Sequence, residues 1–283
     1  MSFVTVLVFS LLVFSGSFAA GMLGALTGLG GGVVLVPLLT LVFHVDLRYA
    51  IGASLISVIA TSSGAAAAYV REGYSNVRIG MFLEVATTLG ALLGAYLAAI
   101  VPTHALAIIF GAVLIYSAWQ SWQSRRSPPT LAPAESPMSD RLRLSGHYPG
   151  PGGQKIAYKV THIPAGFAVM FGAGTLSGLL GIGSGAVKVL AMDQVMRMPF
   201  KVSTTTSNFM IGVTAAASAG IYLRRGYIDP GLAAPVMLGV LFGAVLGAKV
   251  LARAKVSVLR TVFSFVVLAL GVEMIVNGWL GRL

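Results

Sequence analysis

Two short glycine-rich segments have the residue types and spacing to bind an anion through the main chain. They are GLGGG at residues 28–32 and GIGSG at residues 181–185, and each interrupts a long apolar run. Glycines permit backbone conformations in which successive N–H groups converge on one concavity, and such concavities bind anions. A helix that resumes after the break directs the positive end of its dipole to the same place. The candidate binding residues in the two breaks are Gly28, Gly30, Gly31, Gly32, Gly181, Gly183, Ser184 and Gly185.

A purely structural role is the alternative for any glycine in an apolar helix. Small residues allow helices to pack closely in a membrane, as in GxxxG contacts. We assign that role to Gly90, Gly94, Gly243 and Gly247, which stand in simple GxxxG spacing. The breaks are clustered and repeated, which favours a substrate site there.

Charged and polar side chains near the breaks add a second kind of donor. Lys188 lies three residues after the second break, where an intramembrane cation is costly and is in most cases functional. We expect it to pair with a bound anion; the alternative is that it snorkels to the membrane interface. Its equivalent in the first break is Leu35, so the two half-sites differ.

The helices that follow the short pieces carry further candidates. Hydroxyl and amide donors suit sulfonate, sulfate or carboxylate oxygens, although helix-to-helix hydrogen bonding is the alternative role. These donors are Thr204, Thr205, Ser207 and Asn208. Arg48 and Lys201 begin the same helices and either attract or gate the anion or mark a membrane interface.

Two carboxylates inside apolar spans, Glu84 and Glu273, are candidates for proton coupling, and partial hydration near a span end is the alternative. The four histidines have no metal-ligand spacing, and the chain has no cysteine. No Ser–His–Asp or paired-carboxylate arrangement is recognisable. We therefore expect no metal, no cofactor and no enzymatic activity.

The composition requires a membrane. Hydrophobic residues make up 57% of the 283 residues, only 10% are charged, and mean hydropathy is +0.89. A soluble domain has about 25% charged residues. The apolar runs are continuous rather than alternating, which predicts helices and not a barrel. The net charge of +11 lies in short loops and one linker, which is typical of cytoplasmic anchoring beside anionic lipid rather than of nucleic-acid binding.

The chain contains an internal duplication. An offset of 153 residues aligns 28–94 with 181–247 without a gap and gives seventeen identities in 67 positions. Duplicated halves are common in secondary transporters. The identical pairs include Gly28/Gly181, Gly30/Gly183, Gly32/Gly185, Ser54/Ser207, Thr61/Thr214, Tyr69/Tyr222, Arg71/Arg224, Gly73/Gly226, Tyr74/Tyr227, Gly90/Gly243 and Gly94/Gly247.

Three segments follow from this pattern: a first transmembrane repeat at 1–123, a Pro/Ser/Gly-rich basic linker at 124–160 and a second repeat at 161–283. We expect the linker to be cytoplasmic and loosely ordered. Each repeat is predicted to hold a long helix, a glycine break, a short apolar piece and three spans. The predicted helices are 1–27, 33–43, 48–70, 79–100 and 104–122, then 161–180, 186–196, 201–223, 231–251 and 257–279.

Loop charge predicts that the repeats are inverted. The loop at 101–104 has no Lys or Arg, whereas its counterpart at 252–260 has Arg253, Lys255 and Arg260. Positive residues favour the inside, so the two equivalent loops lie on opposite sides. Arg224 and Arg225 would then lie outside, which counts against this prediction.

The stretches GMLGALTGLGGGVVLVPLL and GTLSGLLGIGSGAVKVLAM, on either side of a polar linker, resemble the TauE/SafE sulfite exporter family. The resemblance implies a permease for sulfite, sulfoacetate or related organosulfonates in a bacterial-type inner membrane. The family's glycine signature falls on Gly28, Gly30, Gly31 and Gly32 and on Gly181, Gly183 and Gly185. Ser184 and Leu190 depart from the usual glycine and proline of the second copy, and Pro37 keeps the first-copy form.

The sequence thus predicts an all-α, polytopic membrane transporter, built from two inverted repeats, that exports a small sulfur-containing anion by alternating access. Its expected partners are that anion and membrane lipid, with association as a homodimer. The alternatives are a passive anion channel, an uptake permease for a different carboxylate or sulfonate, and a membrane scaffold that binds no anion.

Overall fold

The computed structural model describes residues 3–27, 31–71, 75–123, 141–142, 144–149, 154–251 and 256–282. The first repeat holds α1 (Phe3–Thr27), α2 (Gly32–Pro37), α3 (Leu47–Arg71), α4 (Val77–Ile100) and α5 (Thr103–Gln123). The segment between the repeats holds β1 (Gly146–Pro149) and β2 (Lys155–Tyr158). The second repeat holds α6 (Ile163–Leu180), α7 (Gly185–Leu190), α8 (Phe200–Arg224), α9 (Pro230–Leu251) and α10 (Val256–Trp279).

The described helices confirm an all-α polytopic membrane protein. Four of them are long and apolar enough to cross a membrane: Val6–Gly24, Val77–Ile100, Ile163–Leu180 and Pro230–Gly247. Their outer faces are apolar; on α4, for example, Met81, Val85 and Leu89 are all more than half exposed, as lipid-facing side chains are. The opposite face of α4 is buried and includes Leu83, Glu84 and Thr87.

The two short helices have the lengths that the glycine breaks predict. Each continues into one turn of π-helix, at Leu38–Val42 after α2 and at Ala191–Val195 after α7. Beyond these turns the chain reverses at His44 and Arg197, equivalent positions in the repeats that both have positive φ. An eleven-residue helical piece rises only about 16 Å, about half the thickness of the hydrocarbon core.

Glycines allow two pairs of long helices to pack with their backbones in close contact. A Cβ on Gly90 or Gly94 of α4 would overlap the carbonyls of Phe171 or Thr175 on α6. A Cβ on Gly243 of α9 would overlap the carbonyl of Phe18 on α1 in the same way. These contacts confirm the packing role for Gly90, Gly94 and Gly243, and they pair the first helix of each repeat with the fourth helix of the other.

Equivalent helices of the two repeats pack against each other in opposite directions. The ring of Tyr49 near the start of α3 lies 5.8 Å from the ring of Tyr227, just after α8. At the other end, the N–H of Asn76 donates to Thr206 Oγ1 near the start of α8, at 3.0 Å. The α3 and α8 helices are therefore antiparallel. The inverted relation of whole repeats to the membrane stays a prediction.

Part of the segment between the repeats is more ordered than its composition predicts. Strands β1 and β2 pair antiparallel, with Tyr148 opposite Ile156. The hairpin is anchored to the bundle because Asn76 Nδ2 donates to Leu144 O at 3.1 Å and to the Tyr158 hydroxyl at 2.7 Å. Burial raises the pKa of the Tyr158 phenol, which keeps the hydroxyl protonated. Residues 124–140, 143 and 150–153 lie outside the described residues.

Candidate functional site

The second glycine break is a sharp reversal between α6 and α7. Gly181 ends α6 with φ 68°, and its N–H donates to Ser177 O at 2.8 Å. Gly183 has φ 71° and Ser184 has φ 44°, so a non-glycine residue also adopts the left-handed conformation. Because L-residues other than Asn and Asp rarely adopt that conformation, Ser184 marks local strain.

The first break is described only in part. Gly31 precedes α2 with a right-handed backbone, φ −65°, and Gly32 begins the helix. Gly28 and Gly30, which the sequence places in the same site, lie outside the described residues, as do Gly73 and Tyr74 of the repeated RxGY motif.

The two breaks meet in the centre of the bundle. Ser54 Oγ of α3 donates to Gly181 O at 2.8 Å, and Ser207 Oγ of α8 donates to Gly185 O at 3.2 Å. A Cβ on Gly32 would lie 2.8 Å from Ser54 Oγ and 3.2 Å from Gly181 O. The structure therefore brings Gly32, Gly181, Gly185 and Ser207 together, as a shared site requires.

Side chains of Ile51 and Ile211 pack against the glycines of the second break. A Cβ on Gly181 would lie 2.7 Å from Ile51 Cγ2, and one on Gly183 would lie 2.8 Å from Ile211 Cγ2. Even so, within the described part of the chain the N–H groups of Ile182, Gly183 and Ser184 donate to no carbonyl. The Oγ of Ser184 is also buried without a described partner. The break thus holds donors that have no partner among the described residues, and Ile51 and Ile211 pack against its glycines.

Lys188 is the most informative residue of the site. Its side chain is 0% exposed, which excludes the alternative that it snorkels to the membrane surface. Nζ donates to Thr214 Oγ1 on α8 at 2.5 Å, and that hydroxyl donates to Glu84 Oε1 on α4 at 2.7 Å. A cation from the broken helix is thereby connected through one hydroxyl to a carboxylate of the other repeat.

Glu84 is nearly as deeply buried, at 8% exposed. Its Oε1 also accepts from Thr88 Oγ1 at 3.3 Å, whereas Oε2 has no described partner. Lys188, Thr214 and Glu84, called the buried triad below, form an electrically neutral unit that leaves one carboxylate oxygen open. Burial of a charge is costly unless the charge is paired, so the pairing explains why two opposite charges occur together at this depth.

The triad occurs in only one repeat. The positions equivalent to Lys188, Thr214 and Glu84 are Leu35, Thr61 and Met237. Thr61 Oγ1 donates only to carbonyls of its own helix, at Ser57 and Val58. The site is therefore asymmetric, as the sequence predicts from Leu35.

The other predicted donors on α8 face different surroundings. Thr204 Oγ1 donates to Phe200 O, and Thr205 Oγ1 donates to Lys201 O, so both hydroxyls serve their own helix. Asn208 is half-buried and the Lys201 side chain is exposed. Among these residues the structure brings only Ser207 to the break.

The structure places the remaining candidates away from the break. Arg48 donates from Nε to Ala98 O and from Nη2 to Val101 O, both at 3.1 Å, so it holds the carboxyl end of α4. Arg225, the residue after α8, does the same, with Nη1 3.2 Å from Ala95 O. Glu273 is exposed on α10 and is not part of the triad.

Thr214 and Ser54 are the functional candidates that sequence reasoning missed. Both belong to pairs that are identical in the two repeats, Thr61/Thr214 and Ser54/Ser207. That identity was the available signal, because a shared apolar composition does not by itself place hydroxyl residues at equivalent positions of both repeats.

Comparison with known proteins agrees with this architecture. The family model described as sulfite exporter TauE/SafE matches residues 13–274. The probable membrane transporter protein YunE of Bacillus subtilis (strain 168) is 26% identical over 285 residues, which cover 98% of this chain and 99% of that protein. YdhB of the same organism, also named a probable membrane transporter protein, is 27% identical and covers 82% of this chain and 86% of its own.

A third relative, a probable membrane transporter protein of Xylella fastidiosa (strain 9a5c), is 26% identical and covers 93% of this chain and 92% of its own. No solved structure matches the chain.

Proposed function

We propose that this chain, which belongs to the sulfite exporter TauE/SafE family, exports a small sulfur-containing anion by alternating access. It is a membrane transporter and not an enzyme, and it crosses the bacterial plasma membrane several times. The proposed substrates are sulfite, sulfoacetate and other organosulfonates.

The observation that carries the proposal is the burial of Lys188. A fully buried ammonium at the start of a broken helix is held by a hydroxyl and, through it, by one carboxylate. An incoming oxyanion offers Lys188 the same kind of partner as Glu84 does, namely a negatively charged oxygen. Intramembrane cations paired in this way line substrate pathways in most cases.

The surroundings of Lys188 supply uncharged donors for the other oxygens of a sulfonate or sulfite. These are the N–H groups of Gly183 and Ser184 and the Ser184 hydroxyl, which have no partner among the described residues, and the Ser207 hydroxyl, which would exchange its bond to Gly185 O for one to the anion. The positive end of the helical piece 185–195 lies beside them. The three oxygens of a sulfonate or sulfite group need donors that approach from different angles, and the bent backbone of the break provides them.

The described contacts tie both ends of α4 to other elements. On one side the β1–β2 hairpin is fastened to Asn76, between α3 and α4. On the other, Arg48 and Arg225 hold the carboxyl end of α4. Antiparallel packing of α3 on α8 supports inverted repeats, the arrangement that lets one bundle rock against a fixed central site.

A passive anion channel would use the same break but would need a continuous open path. The packing of Ile51 and Ile211 on the break glycines favours a carrier instead. An uptake permease uses the same site with the opposite direction of net flux.

Flux measurements on the purified, reconstituted protein test the proposal. Liposomes loaded with ³⁵S-sulfite should release it at a rate that saturates with internal concentration, and sulfoacetate should compete more strongly than chloride. Lys188→Met should abolish the flux, whereas the matched variant Lys159→Met, beyond the hairpin, should leave it intact. Absence of flux for sulfite and every sulfonate tried would refute the proposal, and a rate that rises linearly without saturation would indicate a channel.

A further inference from the structure

The charge balance of the buried triad bears on which ion is transported together with the anion. Lys188 and Glu84 are each other's charged partners, linked by Thr214. The helix α6, which packs on α4, has no titratable residue. On α8 the titratable residues are Lys201, Tyr222 and Arg224, all at least two helical turns from Thr214. The remaining titratable residues on these elements are Arg78 and Tyr96 on α4 and Asp193 beyond α7.

Binding of an anion at Lys188 removes the partner of Glu84. The carboxylate would then stand beside Thr87 and Thr88 without a cation, in a site that water barely reaches. Buried carboxylates in such surroundings take up a proton rather than remain ionised. The open oxygen, Oε2, is the atom at which that proton fits, since Oε1 already accepts from Thr214.

We infer that the transporter moves one proton with each monovalent anion, with Glu84 as the proton carrier and Lys188 as the residue that alternates between Glu84 and the substrate. This inference rests on the proposed function, because it concerns the same site. It assigns the coupling ion, which neither the family nor the relatives' names specify.

The cycle keeps the site neutral in both of the states that must cross between the two sides. In the empty state the Lys188 ammonium is balanced by the Glu84 carboxylate through Thr214. In the loaded state the ammonium is balanced by the anion, and an O–H bond has formed at Glu84 Oε2 with a proton from the side on which the anion entered. On the other side the anion leaves, that O–H bond breaks, and the ammonium returns to the carboxylate.

The variant Glu84→Gln affects the loaded and the empty state differently. Glutamine resembles the protonated carboxyl group, so the loaded site stays neutral, whereas the empty site keeps an unpaired ammonium. Exchange of external for internal anion, which uses only loaded states, should continue within about threefold of the wild-type rate. Net efflux, which requires the empty state to return, should fall at least about tenfold because removal of one partner leaves a buried charge uncompensated.

The experiment uses the full-length protein in liposomes that contain a pH-sensitive dye, with ³⁵S-sulfite measured in parallel. The wild-type protein should move about one proton with each monovalent anion, in the same direction, and its net flux should not respond to a potassium–valinomycin potential. In Glu84→Gln, exchange should persist without any effect of a pH gradient. The control Glu273→Gln, at an exposed carboxylate of α10, should keep the wild-type coupling.

Two sets of results separate the inference from the proposed function. If the wild-type protein carries none of the sulfur anions, the proposed function fails. If it carries sulfite but moves no protons, or if Glu84→Gln retains proton-coupled net efflux, the inference alone is overturned. Loss of both exchange and net efflux in a Glu84→Gln protein that elutes as a folded species also overturns it, since Glu84 would then be required for binding itself.

Discussion

Replacement of Thr214 by valine tests the energetic role of the triad. Valine has nearly the same shape, so the change removes a hydroxyl without opening a cavity. The hydroxyl lies 2.5 Å from Lys188 Nζ and 2.7 Å from Glu84 Oε1. Hydrogen bonds to charged groups contribute about 1.5 kcal/mol each at the low end of their range, so the loss of both should lower the free energy of unfolding by about 3 kcal/mol.

The duplication provides a matched control for this variant. Thr61 is the equivalent residue of the first repeat, and its hydroxyl donates only to carbonyls of its own helix. Since such bonds contribute little to helix stability, Thr61→Val should change the free energy of unfolding by less than about 0.5 kcal/mol. The assay is unfolding in mixed detergent micelles over a range of SDS, followed by helical circular dichroism. Equal destabilisation of the two variants would refute the view that Thr214 joins two buried charges.

Two further predictions concern the break and the hairpin. Gly183→Ala should destabilise the protein by about 3 kcal/mol, because alanine is strained at φ 71° and its Cβ would lie 2.8 Å from Ile211 Cγ2. Gly226→Ala, with φ 75° but open space around the added Cβ, should lower the free energy of unfolding by only about 1 kcal/mol. Similar melting temperatures for the two variants would contradict the packing argument. Asn76→Ala should accelerate amide hydrogen exchange in residues 144–149 and 154–158, because the hairpin loses both of its hydrogen bonds to that side chain. Unchanged exchange there would mean that other contacts hold the hairpin.

The fold was largely predictable from the sequence because membrane helices are specified by local composition. Continuous apolar runs fixed the spans within a few residues: the predicted helix 79–100 is Val77–Ile100, and the predicted helix 201–223 is Phe200–Arg224. The short helices were equally predictable, because glycines at 28–32 and 181–185 interrupt the apolar pattern.

The hairpin between the repeats was not predictable from composition. Few of its residues are apolar, but Leu144, Tyr158 and Val160 belong to the same buried cluster as Ile79 and Met196. That surface belongs to helices distant in the chain, so no local pattern reveals it.

The candidate site was predictable in its parts but not in its connections. Lys188 and Glu84 were identified separately as charges in apolar segments. No sequence pattern indicates that they are joined by the hydroxyl of Thr214, which is 130 residues from Glu84. Arg48 was predicted either to attract or gate the anion or to mark a membrane interface. Its side chain instead turns to the carboxyl end of α4, where unpaired carbonyls attract a guanidinium.

The central claim is that the buried ammonium of Lys188 binds the transported anion. Its most direct test is the equilibrium dissociation constant for sulfite, measured by isothermal titration calorimetry on the wild-type protein, Lys188→Met and Lys159→Met in the same detergent. Loss of a charge-assisted hydrogen bond should raise the dissociation constant of Lys188→Met at least about tenfold, whereas Lys159→Met should match the wild type. An unchanged dissociation constant in a folded Lys188→Met protein would contradict the claim.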